Sequence, residues 1–392
     1  MVLSEEVRVR SEYNYQRSQI IRHRAWVEID RSALAHNITA IKNHLSPRTE
    51  LMAVVKADGY GHGAAMIART ALESGAGSLA IATLSEGIQL REEGITAPVL
   101  VLGAINTPEE IAAAAHWQLQ PTLCSLEQAQ IMGLTMTELQ RTLPVHLKLD
   151  TGMSRLGTLW GQATDFVKQV VSLPYLKIHS VYSHLATADD EDTAVMKLQQ
   201  ARFEGAIAEM KKLGFTPPCL HLANSAATLR DRSMHYDRVR VGLAMYGLYP
   251  AGHLQSTLSL KPVLAVKARI TQVKELPAGT GVSYGHQYVT PKAITMAVVG
   301  IGYADGVPRN LSGRMEVIVR GRKVPQIGAI TMDQLMIDIS GMSDISAGEI
   351  VTLIGYDGGV VIGAEDWAAS LNTISWEILC GFKHRLPRIT VS

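Results

Sequence analysis

Eight short apolar runs, each followed by an amphipathic segment, constrain the fold of this chain more than any other feature. The runs are rich in Val, Leu and Ile, and they end near residues 56, 82, 103, 124, 150, 184, 224 and 247. Strands that are buried on both faces of a parallel sheet need such runs. We therefore predict an α/β fold in which eight strand–helix units close into a TIM-type (β/α)8 barrel. A doubly wound open sheet is the alternative.

The pattern changes after about residue 255. From there, apolar residues alternate with polar ones, and Gly, Pro and Asp separate the runs, which is typical of antiparallel strands joined by turns. We predict three parts: a polar N-terminal extension over residues 1–24, the barrel over 25–254, and a mostly antiparallel C-terminal β-domain over 255–392. Residues 364–382 have helical periodicity and close the chain.

Charge and cysteine content exclude several classes of function. Lysine and arginine (37) nearly balance aspartate and glutamate (36), so no overall field attracts nucleic acid or an anionic membrane. The polar N-terminus lacks a signal-peptide apolar region, and no apolar run is long enough to span a membrane, so we expect a cytoplasmic protein. Cys124, Cys219 and Cys380 are odd in number and widely spaced, which argues against disulfides or a thiolate metal cluster.

Lys56 ends the first apolar run, immediately before the glycine-rich segment ADGYGHG. An ammonium group at the end of an apolar strand loses hydration, which favours the neutral amine needed for a Schiff base. On its own, the residue has a second interpretation, a lysine that reaches solvent from a strand end. The glycines do not have the spacing of a dinucleotide-binding loop, so we reject that interpretation.

The segment VVKADGYGHG resembles the cofactor-lysine motif of the alanine racemases, which are fold-type III enzymes that use pyridoxal 5'-phosphate (PLP). Seven later segments resemble the same family in the same order: VHLKLDTGMSRLG (145–157), YSHLATADD (182–190), HLANSAA (221–227), RVGLAMYG (240–247), VSYGH (282–286), VGIGYADGVPR (299–309) and TMDQ (331–334). The resemblance covers about residues 25–390. It implies PLP as the cofactor, a barrel followed by a β-domain, and a homodimer whose subunits share their active sites.

The resemblance implies cofactor-binding roles at nine positions. Lys56 corresponds to the lysine that carries PLP, His184 to the histidine against the pyridine ring, and Arg240 to the arginine that faces the pyridine nitrogen. An arginine there keeps that nitrogen unprotonated, which makes the ring a weaker electron sink and disfavours transamination. Without the resemblance, Asn224 and Ser225 would predict an ordinary helix cap. The other positions form the phosphate cradle and an aromatic wall: Tyr60, Asn224, Ser225, Gly242, Leu243 and Trp376.

The resemblance also assigns the substrate site. Arg155 matches the arginine near the substrate carboxylate, and Lys148 matches a lysine that is carbamylated in many relatives and orients that arginine. Tyr303 and Met332 match residues of the entry channel, which would admit alanine-sized substrates and exclude bulky ones. The resemblance also places Asp189, Arg309 and Asp333 in this channel.

Three positions depart from the family pattern. Trp376 stands where the family usually has tyrosine; tryptophan keeps an aromatic wall but loses a hydroxyl group, so substrate preference is expected to shift. Val241 replaces a usual proline, and Ala329 replaces a usual arginine. None of the three removes a proposed proton carrier.

Racemisation needs proton exchange on both faces of a planar carbanion, and two bases on opposite faces achieve this more readily than one. The resemblance places Lys56 on one face and Tyr284, contributed by the partner subunit, on the other. A phenol is a weak acid in water, so Tyr284 needs assistance. We expect a contact between His184 and Arg240 to provide it. The physiological role that the resemblance implies is the supply of D-alanine for peptidoglycan.

Other functions remain open. A serine or broad-specificity amino-acid racemase would use the same chemistry. A decarboxylase of the same barrel-plus-β-domain class would place an acidic residue where this chain has Arg240, and a non-catalytic PLP carrier would lack the domain that supplies Tyr284. A metal-dependent hydrolase is disfavoured because His62, His184 and His221 follow strands without the spacing of metal ligands.

Overall fold

The computed structural model describes residues 23–391. The chain forms two compact units, of which one comprises residues 31–263 and the other residues 23–30 together with 264–391. Residues 1–22 of the predicted polar extension lie outside the described part. No helix between residues 23 and 391 has the length and apolar character to span a membrane.

The first unit is the predicted eight-stranded parallel barrel. Its strands follow in the spatial order Arg238–Val241, Glu50–Val54, Ser78–Ile81, Val99–Ala104, Gln120–Leu123, Leu143–Asp150, Leu176–Tyr182 and Leu220–His221. Two backbone hydrogen bonds join the last strand to the first: Asp237 N–H donates to the Leu220 carbonyl (3.1 Å), and Arg240 N–H to the Ala223 carbonyl (3.0 Å). The barrel prediction is therefore confirmed, and the open sheet is excluded.

Helices cover the strands because their apolar residues recur on one face. In Ala64–Glu73, for example, Ile67, Ala68 and Ala71 are fully buried while Arg69 is exposed. The right-handed helices of this unit are Arg31–His44, Ala64–Glu73, Leu84–Glu92, Pro108–His116, Leu126–Leu139, Ala163–Ser172, Ala194–Lys212 and Ser225–Arg230, and Lys56–Tyr60 forms a separate short turn. Short 3-10 turns occupy Trp160–Gln162, Arg232–Met234, Leu243–Tyr246 and Gly252–Leu254, and the two-residue strand Thr158–Leu159 pairs with Leu143–Asp150.

The second unit is a mostly antiparallel β-structure, as predicted. Its main sheet has the order Val360–Ile362, Ile350–Asp357, Glu316–Val319, Arg322–Ile327, Leu335–Asp338, Ile294–Val299, Leu264–Leu276, Ala25–Asp30 and Arg388–Val391. Among the described strands of this sheet, only the last two pair in parallel. A small hairpin joins Gly281–Val282 to Tyr288–Val289, and 3-10 turns occupy Tyr284–His286 and Arg309–Leu311. The helical segment predicted at 364–382 forms the helices Ala364–Leu371 and Ser375–Gly381.

The strand Ala25–Asp30 corrects the predicted domain boundary. The sequence analysis placed residues 25–30 in the barrel and ended the barrel at 254, whereas this strand lies in the β-sheet and the barrel unit extends to Val263. It pairs antiparallel with Leu264–Leu276, and a salt bridge of 2.7 Å joins Glu28 to Lys267 on the neighbouring strand. The strand's partners lie more than 200 residues away in sequence, so its own residues could not show which sheet it joins.

Candidate active site

Polar side chains line the inside of the barrel at alternate positions of otherwise apolar strands. Lys148 and Arg240 are buried in this way, as are Tyr182 and His146. Successive residues of a strand point to opposite faces, so polar residues two apart point into the same interior. Because parallel strands end at one edge, the residues that follow them, including Lys56 and His184, belong to the carboxyl-end mouth of the barrel.

Lys56 begins an unusual turn. Ala57, Asp58, Gly59 and Tyr60 all have positive φ, from 52° to 61°, so the chain makes one turn of left-handed helix. The left-handed conformation costs L-residues about 1 to 2 kcal/mol each, and three of these four residues are not glycine. Such strain persists only where the surroundings hold it, and it often marks a functional site.

The turn directs Tyr60 into the barrel, where its ring packs against a cluster that includes Val54 and Ala80. Gly242 is required beside it, because a β-carbon at this position would lie 2.6 Å from the Tyr60 hydroxyl oxygen. Ser225 completes the arrangement: its Oγ accepts hydrogen bonds from the N–H groups of Gly242 (3.1 Å) and Ala244 (3.4 Å). In both bonds the oxygen is the acceptor, so the hydroxyl proton remains to be donated.

Asn224 is the N-cap of the helix Ser225–Arg230, and its side chain accepts a hydrogen bond from Ala227 N–H at 3.1 Å. The simple interpretation of Asn224 as a helix cap is therefore correct, and it is compatible with a phosphate cradle, because a capped helix start presents further N–H groups. Leu243 is buried and begins the next 3-10 turn. Together, Tyr60, Ser225 and Gly242 form a small polar cradle.

Arg240 is almost completely buried, and no carboxylate of the described residues forms a salt bridge with it. Its Nη2 donates to the carbonyls of Ser183 (2.7 Å) and Leu222 (3.0 Å) and contacts His184 Nδ1 at 3.3 Å, while Nη1 donates to His221 Nδ1 at 2.8 Å. The expected contact between His184 and Arg240 is thus present. Burial lowers the pKa of Arg240 to about 10, so the guanidinium remains charged at neutral pH. Among the described residues, no hydrogen bond starts from Nε.

A single-file chain of hydrogen bonds runs from Arg240 through the barrel interior. The guanidinium can only donate, so His221 accepts at Nδ1 and carries its proton on Nε2, which donates to Ser180 Oγ (2.8 Å). The Ser180 hydroxyl then donates to His146 Nδ1 (2.6 Å), and His146 Nε2 donates to Gln120 Oε1 (2.9 Å). Burial holds the pKa of both histidines well below the usual range, so both are neutral and Arg240 is fixed by neutral partners.

His184 is neutral for the same reason. Burial, followed by the positive charges of Arg240 and Lys148, holds its pKa well below the usual range. Because Arg240 donates to Nδ1, the proton lies on Nε2. Gln199 fixes the loop: its Nε2 donates to the His184 carbonyl (3.0 Å), and its Oε1 accepts from Ala186 N–H (2.8 Å).

Lys148 is the second amine of the barrel interior. Burial and the positive charge of Arg240 lower its pKa to about 8, so about a tenth of the amine is neutral at pH 7. The ammonium lies 5.5 Å from the centre of the Tyr182 ring, and Arg240 lies 5.1 Å from the same ring. Arg155 follows the same strand on an exposed loop and also acts electrostatically on Lys148.

The β-unit carries the other predicted site residues near its surface. Tyr284 follows the strand Gly281–Val282 with 71% of its surface exposed, while Met332 and Tyr303 are 53% and 38% exposed. Tyr303 N–H donates to the Thr331 carbonyl at 3.0 Å, which ties the Tyr303 loop to the Met332 loop. Trp376 is partly buried in the first turn of Ser375–Gly381. Asp189 and Arg309 are exposed in their respective units.

The sequence analysis missed four residues that support these groups: Gln120, His146, Ser180 and Gln199. The first three have a signal, because they are polar residues at inward positions of apolar strands. Gln199 lies within the helix Ala194–Lys212, where one buried polar residue gives no comparable signal. Arg24 was also missed: it donates to both oxygens of the buried Asp305 carboxylate (2.7 and 2.9 Å), which steadies the loop carrying Tyr303.

Comparisons with known proteins identify the family to which the chain belongs. Residues 29–250 match the family described as "Alanine racemase, N-terminal domain", and residues 263–390 match "Alanine racemase, C-terminal domain". Curated alanine racemases from Synechocystis sp. and Nostoc sp. are 63% and 64% identical to this chain. They cover 95% and 94% of it, and the matches span 100% and 96% of their own lengths.

Solved structures give the same result. The alanine racemase from Bacillus anthracis, crystallised with bound L-Ala-P, superposes with a TM-score of 0.89 at 38% identity, covering 94% of this chain and 95% of its own. The alanine racemase from a D-cycloserine-producing Streptomyces lavendulae gives a TM-score of 0.88 at 35% identity, covering 94% and 97%. The chain therefore belongs to the alanine racemase family, the isomerases that interconvert the enantiomers of alanine.

Proposed function

We propose that this enzyme racemises alanine with PLP carried by Lys56, and that Lys56 and Tyr284 of the partner subunit are the two bases. The observation that carries the proposal is the buried, charged Arg240, whose Nε is left for a ligand while its other nitrogens are fixed by neutral partners. A fixed cation at the pyridine nitrogen suits racemisation, because it limits how far the ring withdraws electrons.

The residues of the barrel mouth fit PLP. Gly242 leaves room for Tyr60, the Ser225 hydroxyl has its proton available, and Asn224 caps a short helix whose first N–H groups suit a phosphate. When bound, PLP supplies an electron-withdrawing ring that makes the α-hydrogen of alanine acidic. All other steps fall to the side chains of the protein.

Two groups move the proton. In the L-to-D direction, one base removes the α-hydrogen and the conjugate acid on the opposite face returns a proton, so the net reaction only inverts the carbon. We assign these faces to the Lys56 amine and the phenol of Tyr284 of the partner subunit. The neutral His184, with its proton on Nε2, is suited to donate a hydrogen bond to the phenolate, and Arg240 polarises His184 from the other nitrogen.

A homodimer is part of the proposal. Tyr284 is largely exposed in a groove with a mixed polar and apolar lining, and aromatic side chains are enriched at surfaces that bind another protein. We further propose that the enzyme acts in the cytoplasm and supplies D-alanine for peptidoglycan, which the family membership supports.

The substrate carboxylate is assigned to Arg155, with Lys148 as the group that orients it. We propose that Lys148 is carbamylated: its neutral amine attacks carbon dioxide, a C–N bond forms, and one proton leaves to solvent. Burial and the pKa of about 8 favour the neutral amine, and the charges of Arg240 and Arg155 favour the resulting anion.

The Lys148 carbamate has a measurable pH dependence. At a fixed pressure of 13C-labelled carbon dioxide, the carbamate signal in the 13C NMR spectrum is expected to rise from about pH 7 to about pH 9, because the neutral fraction grows as the pH passes the pKa of about 8. Lys148→Met is expected to lose the signal, whereas Lys177→Ala, at an exposed strand residue, retains it. A wild-type spectrum without the signal at any pH would contradict carbamylation.

Deuterium incorporation from solvent into L-alanine and L-serine tests the proposed activity. After addition of PLP, we expect labelled D-alanine to form from L-alanine, and more slowly labelled D-serine from L-serine. Trp376→Tyr restores the hydroxyl group usual in the family, so the ratio of the alanine rate to the serine rate is expected to change. A rate for serine above that for alanine would replace the proposal with a serine racemase, and an unchanged ratio would show that Trp376 does not determine preference.

A further inference from the structure

We infer that Glu86 is a positioning residue for Lys56, and this inference rests on the proposed role of Lys56 as the PLP lysine. Glu86 lies in the first turn of the helix Leu84–Glu92. Its Oε2 accepts hydrogen bonds from the N–H groups of Ala82 (2.7 Å) and Thr83 (3.1 Å), which caps the helix. Its Oε1 accepts a hydrogen bond from Ala57 N–H at 2.7 Å, in a different βα unit.

The Ala57 N–H group belongs to the peptide unit that joins Lys56 to the left-handed turn. A peptide unit is planar, so holding its N–H also fixes the direction in which the chain leaves Lys56. N–H groups at the start of a helical turn lack a carbonyl within that turn, and a carboxylate satisfies them with short, charge-assisted bonds. Glu86 therefore helps to hold the strained conformation of residues 57–60.

Asp58 holds the other end of the same turn, where its Oδ1 accepts a hydrogen bond from Ala64 N–H at 2.8 Å. Asp58 acts within its own segment, whereas Glu86 connects the turn to the strand Ser78–Ile81 and to the helix that follows it. The Lys56 turn is thus anchored to the next βα unit through one carboxylate oxygen.

Glu110 provides a matched control within the same chain. It forms the same capping box one βα unit later, where its Oε2 accepts from the N–H groups of Asn106 (2.9 Å) and Thr107 (3.2 Å). Among the described residues, its Oε1 accepts no hydrogen bond. Glu86→Ala and Glu110→Ala therefore remove equivalent helix caps, but only Glu86→Ala also releases the Ala57 N–H group.

The two variants are compared by PLP titration of the apoenzyme and by hydrogen exchange of residues 57–61. Thermal unfolding measures the loss of stability from the missing helix cap, which both variants share. We expect similar losses of thermal stability. For Glu86→Ala alone, we expect the PLP dissociation constant to rise about tenfold. This is the smallest change usual for the loss of a charge-assisted hydrogen bond, and we expect it because the bond to Ala57 is partly exposed to solvent. Exchange of residues 57–61 is also expected to accelerate in Glu86→Ala alone.

If Glu86→Ala does not fold, Glu86→Asp can be used instead, because it keeps the helix cap and loses only the bond to Ala57. Asp366 shows that an aspartate at this position of a helix can accept the N-cap N–H in this protein, because its Oδ2 accepts from Gly363 N–H at 2.7 Å. The shorter side chain cannot also reach Ala57, so the rise in the dissociation constant is expected to persist in the aspartate variant.

Equal PLP affinity and equal exchange in the Glu86 and Glu110 variants would overturn the inference and leave Glu86 as a helix cap. If the wild-type protein itself does not bind PLP, the proposed function fails instead. The exchange comparison then still decides whether Glu86 holds the turn, because that measurement does not need the cofactor.

Discussion

Lys56→Ala is expected to lower alanine racemisation by about four orders of magnitude and to abolish the visible absorption band, at roughly 420 nm, that forms when PLP is added. The substitution removes the covalent anchor of the cofactor and one of the two bases at once. Absorption spectra and deuterium incorporation from solvent measure the two losses separately. Little loss of stability is expected, because Lys56 is only partly buried.

Lys177→Ala is the control for this experiment. Lys177 is an exposed residue at the beginning of the strand Leu176–Tyr182, at the end of the barrel opposite to the proposed site, so band and activity should both persist. A band that survives in Lys56→Ala would show that another amine carries PLP. Lys148, with its pKa lowered to about 8, would then be the residue to substitute next.

Tyr284→Phe is expected to lower racemisation by roughly 10²- to 10⁴-fold, the usual contribution of a general acid or base. The phenol is largely exposed and its ring is retained, so the variant should be as stable as the wild type. The more informative experiment combines it with Lys56→Ala in one hybrid dimer, purified through a different affinity tag on each subunit.

If the active sites are shared between subunits, such a hybrid contains one site that lacks both bases and one intact site. A two-fold symmetric dimer has two equal sites, so the hybrid should recover about half of the wild-type activity while both parent homodimers remain nearly inactive. If each site takes both residues from one chain, every site in the hybrid lacks one base and no activity returns. That second result would refute the shared site while leaving Lys56 and Tyr284 as candidates for catalysis.

Local pattern predicted the strands and helices of the barrel, but it left an open sheet as the alternative until the closing hydrogen bonds were seen. Each of its strands coincides with an apolar run, and helices with one apolar face follow most of them, because burial on both faces of a parallel strand leaves a clear mark on composition. The order of the β-domain strands could not be predicted in this way. From its sequence, Ala25–Asp30 is predicted to be a barrel strand. Its pairing with Ala268 and Lys267 shows that it belongs to the β-sheet of the other unit.

The sequence predicted those site residues that lie in motifs resembling a known family. Lys56, His184 and Arg240 were identified because their segments resemble a family, and their environment then follows from the barrel. The left-handed turn after Lys56 could not be predicted, because only Gly59 among its four residues favours positive φ. Glu86 was missed because its capping box is an ordinary helix signal, and its bond to Ala57 depends on tertiary structure.

The pairing of Ala25–Asp30 with Leu264–Leu276 makes the whole barrel an insertion into a β-hairpin. Ile29 lies directly opposite Leu264, so the 233 residues from 31 to 263 leave and rejoin the sheet at neighbouring positions, where a hairpin would have a short turn. During synthesis, the first strand must wait roughly 10 to 50 s for its partner, at about 5 to 20 residues per second. The free-energy cost of closing a connection grows only logarithmically with its length. The length of the barrel therefore adds little to the cost of pairing the two strands.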